Sequence, residues 1–201
     1  MFRLFRRLIL VTVFSALTAA ALLLWLSPDP MYTAQEWLAR GRYHEYDDAI
    51  REVAEKQGIE PELVKSIVWR ESAFHPDKMG TSGERGLMQV GEAAGGDWAK
   101  SEKLETFVPT DLFDSRMNLE AGAWYFRRAL DHWKAKEKPV PFALAEYNAG
   151  RSRVDRWIAA TNMGSQANAD DLMGAIDYPT TRRYLEEVMR RAQFYRDRGR
   201  L

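Results

Sequence analysis

Apolar residues run without a charge from Leu8 to Leu26, and after that they recur at helical spacing in segments broken by glycine and proline. Tyr46 to Gln57 carries Ile50, Val53 and Ala54 on one side, with Gly58 as its stop. Pro61 reads as the first residue of the next helix, whose stripe is Leu63, Val64, Ile67 and Val68. Asp114 or Ser115 caps a longer helix, with Leu119, Ala123, Phe126, Leu130 and Trp133 at intervals of four and three. Pro141 opens another helix, which Gly150 ends, and Val154, Trp157 and Ile158 follow at the same period. A last helix starts at Thr180 or Thr181 and places Tyr184, Leu185, Val188, Met189, Ala192 and Tyr195 together. Residues 161–177, polar and holding Gly164 and Gly174, read as a loop. No run of alternating strands occurs, and at most a small β-hairpin fits between Met79 and Val90. The pattern predicts one mainly α globular domain.

The first apolar stretch is about as long as a bilayer-spanning helix, which needs roughly 20 residues. Arg3, Arg6 and Arg7 precede it, which favours an N-terminus kept in the cytoplasm and an exported remainder. A signal peptide cut near Ala19-Ala20-Ala21 is the rival reading, but Leu22-Leu23-Leu24-Trp25-Leu26 continues the apolar run past those small residues. Trp25 suits the outer interface. Ser27-Pro28-Asp29-Pro30 breaks the helix, and a polar helical piece from Thr33 to Arg40 leads to Gly41. The expected organisation is a basic cytoplasmic N-terminus at 1–7, a membrane anchor at 8–26, a linker at 27–42 and the globular domain at 43–201.

Composition narrows the chemistry. Lys plus Arg and Asp plus Glu each number 29, so nothing basic points to nucleic acid. The absence of cysteine removes disulfides, thiolate metal sites and a cysteine nucleophile. His44, His75 and His132 have no metal-ligand spacing, and no G-x-S-x-G elbow is present. The basic run from Arg190 through Arg196, Arg198 and Arg200 reads as a solvated helix face.

Glu71 is the candidate for chemistry. It lies seven positions after Val64, four after Ile67 and three after Val68, on the inward stripe of its helix, while Lys65 and Arg70 are expected to point away. A carboxyl set among aliphatics loses solvation, and its pKa rises toward what a general acid needs near neutral pH. Gly80, Gly83 and Gly86 allow a close backbone approach downstream. Leu87 can anchor that turn, leaving Met88 and Gln89 to offer a soft surface and an amide to sugars. Tyr147 and Asn148 sit at a helix end beside Gly150, where clefts are lined. Trp98, Trp124 and Trp133 read as core.

Glu71-Ser72-Ala73-Phe74, Gly86-Leu87-Met88-Gln89, Tyr147-Asn148-Ala149-Gly150 and Thr181-Arg182-Arg183-Tyr184 occur in that order, and with them the segment from Tyr43 to about Arg196 resembles a lytic transglycosylase domain of the soluble lytic transglycosylase type. The resemblance implies a lysozyme-like, mainly α fold and an enzyme that cuts peptidoglycan glycan strands without water, metal or cofactor. It implies Glu71 as acid and base, with Ser72, Met88, Gln89, Tyr147, Asn148 and Tyr184 lining the substrate cleft. The chain departs from the family pattern in Val90-Gly91-Glu92 after Gln89, and in Gly174 and Thr180, where acidic residues are common. Two alternatives stay open: a hydrolytic muramidase using Glu84, Glu92 or Asp97 as second carboxylate, and an inactive glycan-binding scaffold. The implied location is the bacterial inner membrane, single-pass, with the domain facing the periplasm.

Overall fold

A computed structural model describes residues 2–27 and 29–199 and divides into two compact units, with the boundary between Glu45 and Tyr46. Pro28 and Arg200, both part of the sequence reading, lie outside the described residues.

In the first unit, α1 (Phe2–Trp25) contains the 18-residue stretch Phe5–Leu22, long and apolar enough to cross a membrane, none of it buried in protein. α2 (Pro30–Leu38) begins three residues before the expected Thr33, because Asp29 and Pro30 form a cap and first-turn pair. Asp29 Oδ1 accepts from the Tyr32 amide at 2.9 Å. The stretch expected as a linker is therefore largely ordered. A 3₁₀ turn at Arg42–His44 follows, His44 bonds Glu36 at 2.8 Å, and the Tyr32 and Tyr43 rings pack 5.6 Å apart.

The second unit is mainly α. α3 (Asp47–Gln57) ends at Gly58, whose φ of 61° is left-handed. α4 (Pro61–Ser72) packs between α3 and α10 (Pro179–Arg198). α6 (Ser115–His132), capped by Asp114, is flanked by α3, α5 (Glu92–Ser101) and α7 (Pro139–Ala149). α8 (Arg151–Ala160) and α9 (Ala169–Ala175) close one side. Val64, Ile67, Val68, Leu119, Phe126, Phe142 and Leu185 make the core, all fully buried. No strand forms among the described residues. The predicted hairpin survives as two isolated antiparallel bridges, Met79 with Arg85 and Arg85 with Val90.

Several expectations need correction. α7 opens at Pro139, not Pro141, and α10 at Pro179, because each of these prolines fills a first-turn position where an amide would go unused. Residues 161–177 are not one loop. Asn168 Oδ1 accepts from the Asp170 and Asp171 amides, and Asp171 bonds back to the Asn168 amide, so a capping box starts α9 and Gly174 lies within it. α5 is a helix that the sequence reading did not include, and it runs through Gly95-Gly96. At Gly95 a Cβ would come within 2.8 Å of Leu112, so the glycine serves close packing. Lys65 points away from Glu71, yet it is fully buried, with Nζ 2.5 Å from Asp47 Oδ1 and 4.9 Å from the centre of the Tyr195 ring.

Candidate active site

Glu71 occupies the last turn of α4. The helix halts at once behind it, since Ala73 (φ 50°) and Phe74 (φ 62°) are both left-handed. Phe74 is fully buried and fixes that stop. Lys78 Nζ donates to the Glu71 backbone carbonyl, a contact that closes the following turn.

A cleft of about 380 Å³ opens at this helix end. α4 contributes Arg70 and Glu71, and the end of α7 contributes Asn148 and Ala149. α8 brings Arg153. The start of α10 brings Thr180, Thr181 and Tyr184, with Tyr178 just before it. Glu71 is half-buried, and its pKa is raised from 4.5 to about 7. Loss of solvation is the main cause. The Tyr184 hydroxyl, Arg70 and Lys78 pull the other way, and Glu84 adds a small push upward.

Tyr184 is buried, and its hydroxyl faces the Glu71 carboxyl without closing a hydrogen bond of regular geometry. Burial and the neighbouring carboxyl push its own pKa well above 10, so it stays a neutral donor. Arg70 does not turn away as expected. Its Nε binds Glu187 at 2.7 Å and its guanidinium lies 5.6 Å from the centre of the Tyr184 ring, which keeps a positive charge beside the acid.

The glycine-rich turn is held from below. Gly86 has φ 75°, and a Cβ there would meet Asn118 Nδ2 at 2.3 Å and the Leu112 carbonyl at 2.5 Å. Asn118, fully buried, accepts from the Met88 amide at 2.7 Å and donates to the Arg85 and Leu112 carbonyls, each at 2.7 Å. The Tyr147 hydroxyl donates to the Met88 carbonyl at 2.9 Å. Its ring stands edge-on to Tyr125 and Phe126, and burial first, then Glu71, raise its pKa well above 10.

The structure thus brings Glu71, Asn148 and Tyr184 into one cleft and sets Tyr147 within electrostatic reach of the acid. It does not place the other three expected residues on that surface. Ser72 is buried, and its hydroxyl donates to the Val68 carbonyl at 3.1 Å, one helical turn back. Met88 is fully buried against Gly122, where a Cβ would lie 2.5 Å from its sulfur, so its side chain is core and not sugar-facing surface. Gln89, at φ 48°, spends both amide donors on the Lys78 and Gly86 carbonyls at 3.0 Å, closing the turn. The sequence reading missed Arg153, whose guanidinium lies 5.4 Å from the centre of the Tyr178 ring, and also missed Asn118. Asn118 had a signal: it is a polar residue among the core positions of α6. Of the candidate second carboxylates, Asp97 pairs with Arg128 at 3.2 Å, Glu84 accepts from the Ser82 amide at 3.1 Å, and none of the three lines this cleft.

Residues 48–169 match the family described as "Transglycosylase SLT domain". The chain is 30% identical over 123 residues to membrane-bound lytic murein transglycosylase F of Desulfosudis oleivorans, covering 59% of this chain and 25% of that protein. It is 28% identical over 173 residues to membrane-bound lytic murein transglycosylase C of Edwardsiella ictaluri, covering 77% of this chain and 47% of the relative. The chain therefore spans half or less of the length of these relatives. The 70 kDa soluble lytic transglycosylase of Escherichia coli shares the fold, with a TM-score of 0.68 at 24% identity over 77% of this chain and 24% of that one. The same holds for the complex of the 70 kDa soluble lytic transglycosylase with bulgecin A, with a TM-score of 0.71 at 23% identity over 85% of this chain and 27% of that one. With more than half of its residues inside the matched region, the chain belongs to the transglycosylase SLT domain family.

Proposed function

We propose that the chain is a membrane-anchored lytic transglycosylase that cuts the β-1,4 bond between N-acetylmuramic acid and N-acetylglucosamine in peptidoglycan and leaves a 1,6-anhydromuramyl end. The carrying observation is Glu71, raised to a pKa of about 7 beside Tyr184, the one carboxyl among the described residues that line the cleft, with Glu84 acting on it through space from outside that lining. Water activation by an inverting hydrolase needs a second carboxylate about 6.5–9.5 Å away.

In this reading neutral Glu71 gives its proton to the glycosidic oxygen, the C1–O bond breaks and the N-acetylglucosamine side leaves as an alcohol. The muramyl 2-acetamido group shares the positive charge developing at C1. Glu71, now a carboxylate, takes the proton of the C6 hydroxyl as that oxygen bonds to C1, which restores the acid. Tyr184 and Arg70 steady the anionic stage from one side. Asn148 offers an exposed amide to sugar hydroxyls or acetamido groups, while Tyr147 and Gln89 hold the glycine-rich turn. α1 anchors the chain in the cytoplasmic membrane, with the catalytic unit from Tyr46 outside it. The "membrane-bound" names of the relatives support attachment to a membrane.

Digestion of purified sacculi with wild type and Glu71→Gln tests the reading. Mass spectrometry should find anhydro ends with wild type and none with a folded Glu71→Gln. Reducing ends, heavier by one water, mean hydrolysis. Unchanged sacculi with both proteins mean a binding scaffold.

A further inference from the structure

We propose that α2 is a second membrane element, lying in the plane of the outer lipid interface instead of serving as part of a free tether. The proposal rests on reading α1 as a membrane anchor, and its test separates the two.

α2 has one exposed face, and that face is mainly apolar, with Gln35 the one exposed polar side chain on it. Met31, Ala34 and Leu38 follow at i, i+3 and i+7 with Trp37 beside them. Met31 is 71%, Trp37 48% and Leu38 82% exposed, and Ala34 is half-buried. The opposite face is satisfied within the protein: Tyr32 and Thr33 are buried, and Glu36, the helix's lone charged residue, bonds His44 at 2.8 Å. A nine-residue helix that shows water its methionine, tryptophan and leucine while turning its acid inward has the amphipathicity of an interfacial segment, reversed from that of a solvated linker.

Continuity selects lipid as the occupant. The exposed apolar surface of α1 ends in Trp25 and Leu26, 78% and 63% exposed, and resumes at Met31. The corner between is built and not slack. Ser27 Oγ bonds Thr33 Oγ1 at 2.6 Å, the Asp29 amide donates to Ser27 Oγ at 3.3 Å, and the Thr33 amide donates to the Asp29 carbonyl at 3.0 Å. Tryptophans at 25 and 37 bracket the corner as interfacial residues do, and exposed Arg40 follows α2, where it can meet anionic headgroups.

The absence of cysteine makes a direct measurement possible. Nitroxides are placed singly at Met31→Cys, Ala34→Cys, Leu38→Cys and Gln35→Cys of the full chain, with Leu17→Cys in α1 and Asp170→Cys in the catalytic unit as references. In nanodiscs of phosphatidylethanolamine and phosphatidylglycerol, relaxation by oxygen is compared with relaxation by a water-soluble nickel chelate. Positions 31, 34 and 38 should favour oxygen several-fold over position 170, though less than position 17, and position 35 should be intermediate. Nickel-dominated values at 31, 34 and 38 with an oxygen-dominated position 17 overturn the proposal and leave the anchor standing. Nickel dominance at 17 as well overturns the anchor reading itself. Positions 31, 34 and 38 shielded from both reagents mean that protein, either the chain itself or a second copy, covers the face, and the proposal fails.

Discussion

At the residue scale, the Glu71 proton ties activity to stability. The proposed mechanism needs the neutral acid, so turnover should fall as pH rises through about 7. The Tyr184 hydroxyl lowers that pKa, and Tyr184→Phe should move the alkaline limb of kcat/KM to higher pH. A limb that stays put would show the hydroxyl uncoupled from the acid. The folded state holds the Glu71 proton more tightly than the unfolded chain, whose ordinary value is 4.5. Its stabilising preference is complete below 4.5 and is lost as pH rises through about 7, by about 3 kcal/mol. In denaturant titrations Glu71→Gln should therefore gain on wild type at pH 8 relative to pH 4. The spacing of Glu71 to Val64, Ile67 and Val68 set it on the inward stripe, but the motifs at 86–89 and 147–150 made it the candidate for chemistry. Arg70 was not legible, because a helix wheel places a Cβ and cannot foresee a long side chain swung across Tyr184 to reach Glu187.

At the scale of elements, local chemistry was legible where a cap or a stop is explicit. Asp114, Gly58 and Pro61 act as their residue types predict. Reading failed where tertiary packing overrides local habit. Gly95 suits its place in α5 because a Cβ there would crowd Leu112, and Met88, expected as surface, packs on Gly122. The turn at 86–89 depends on Asn118, three residues inside α6. Asn118→Ala would strand the Met88 amide and two carbonyls, at about 1–3 kcal/mol each. We expect a loss of several kcal/mol by chemical denaturation, far above the effect of Tyr147→Phe, which removes one bond worth about 1 kcal/mol.

At the scale of the whole molecule, the sequence already showed an apolar span followed by a helical unit, because bilayer-length runs and helical periods are long-range patterns that single residues do not upset. The order hidden in residues 29–45 was less visible, since its apolar face looks like scattered surface residues until the helix is built. The unit from Tyr46 has a further property in how it yields to thermal motion. α4 is walled by α3 and α10, and every residue from Leu63 to Val68 is buried. Its amides from Ile67 onward should exchange with deuterium only as slowly as the whole unit opens, whereas those of residues 161–168 should exchange orders of magnitude sooner. Should the two segments exchange at similar rates, α4 is not a rigid mount for Glu71. If they separate as expected, the motion lies in the segment between α8 and α9, and Glu71 sits on the helix that stirs least.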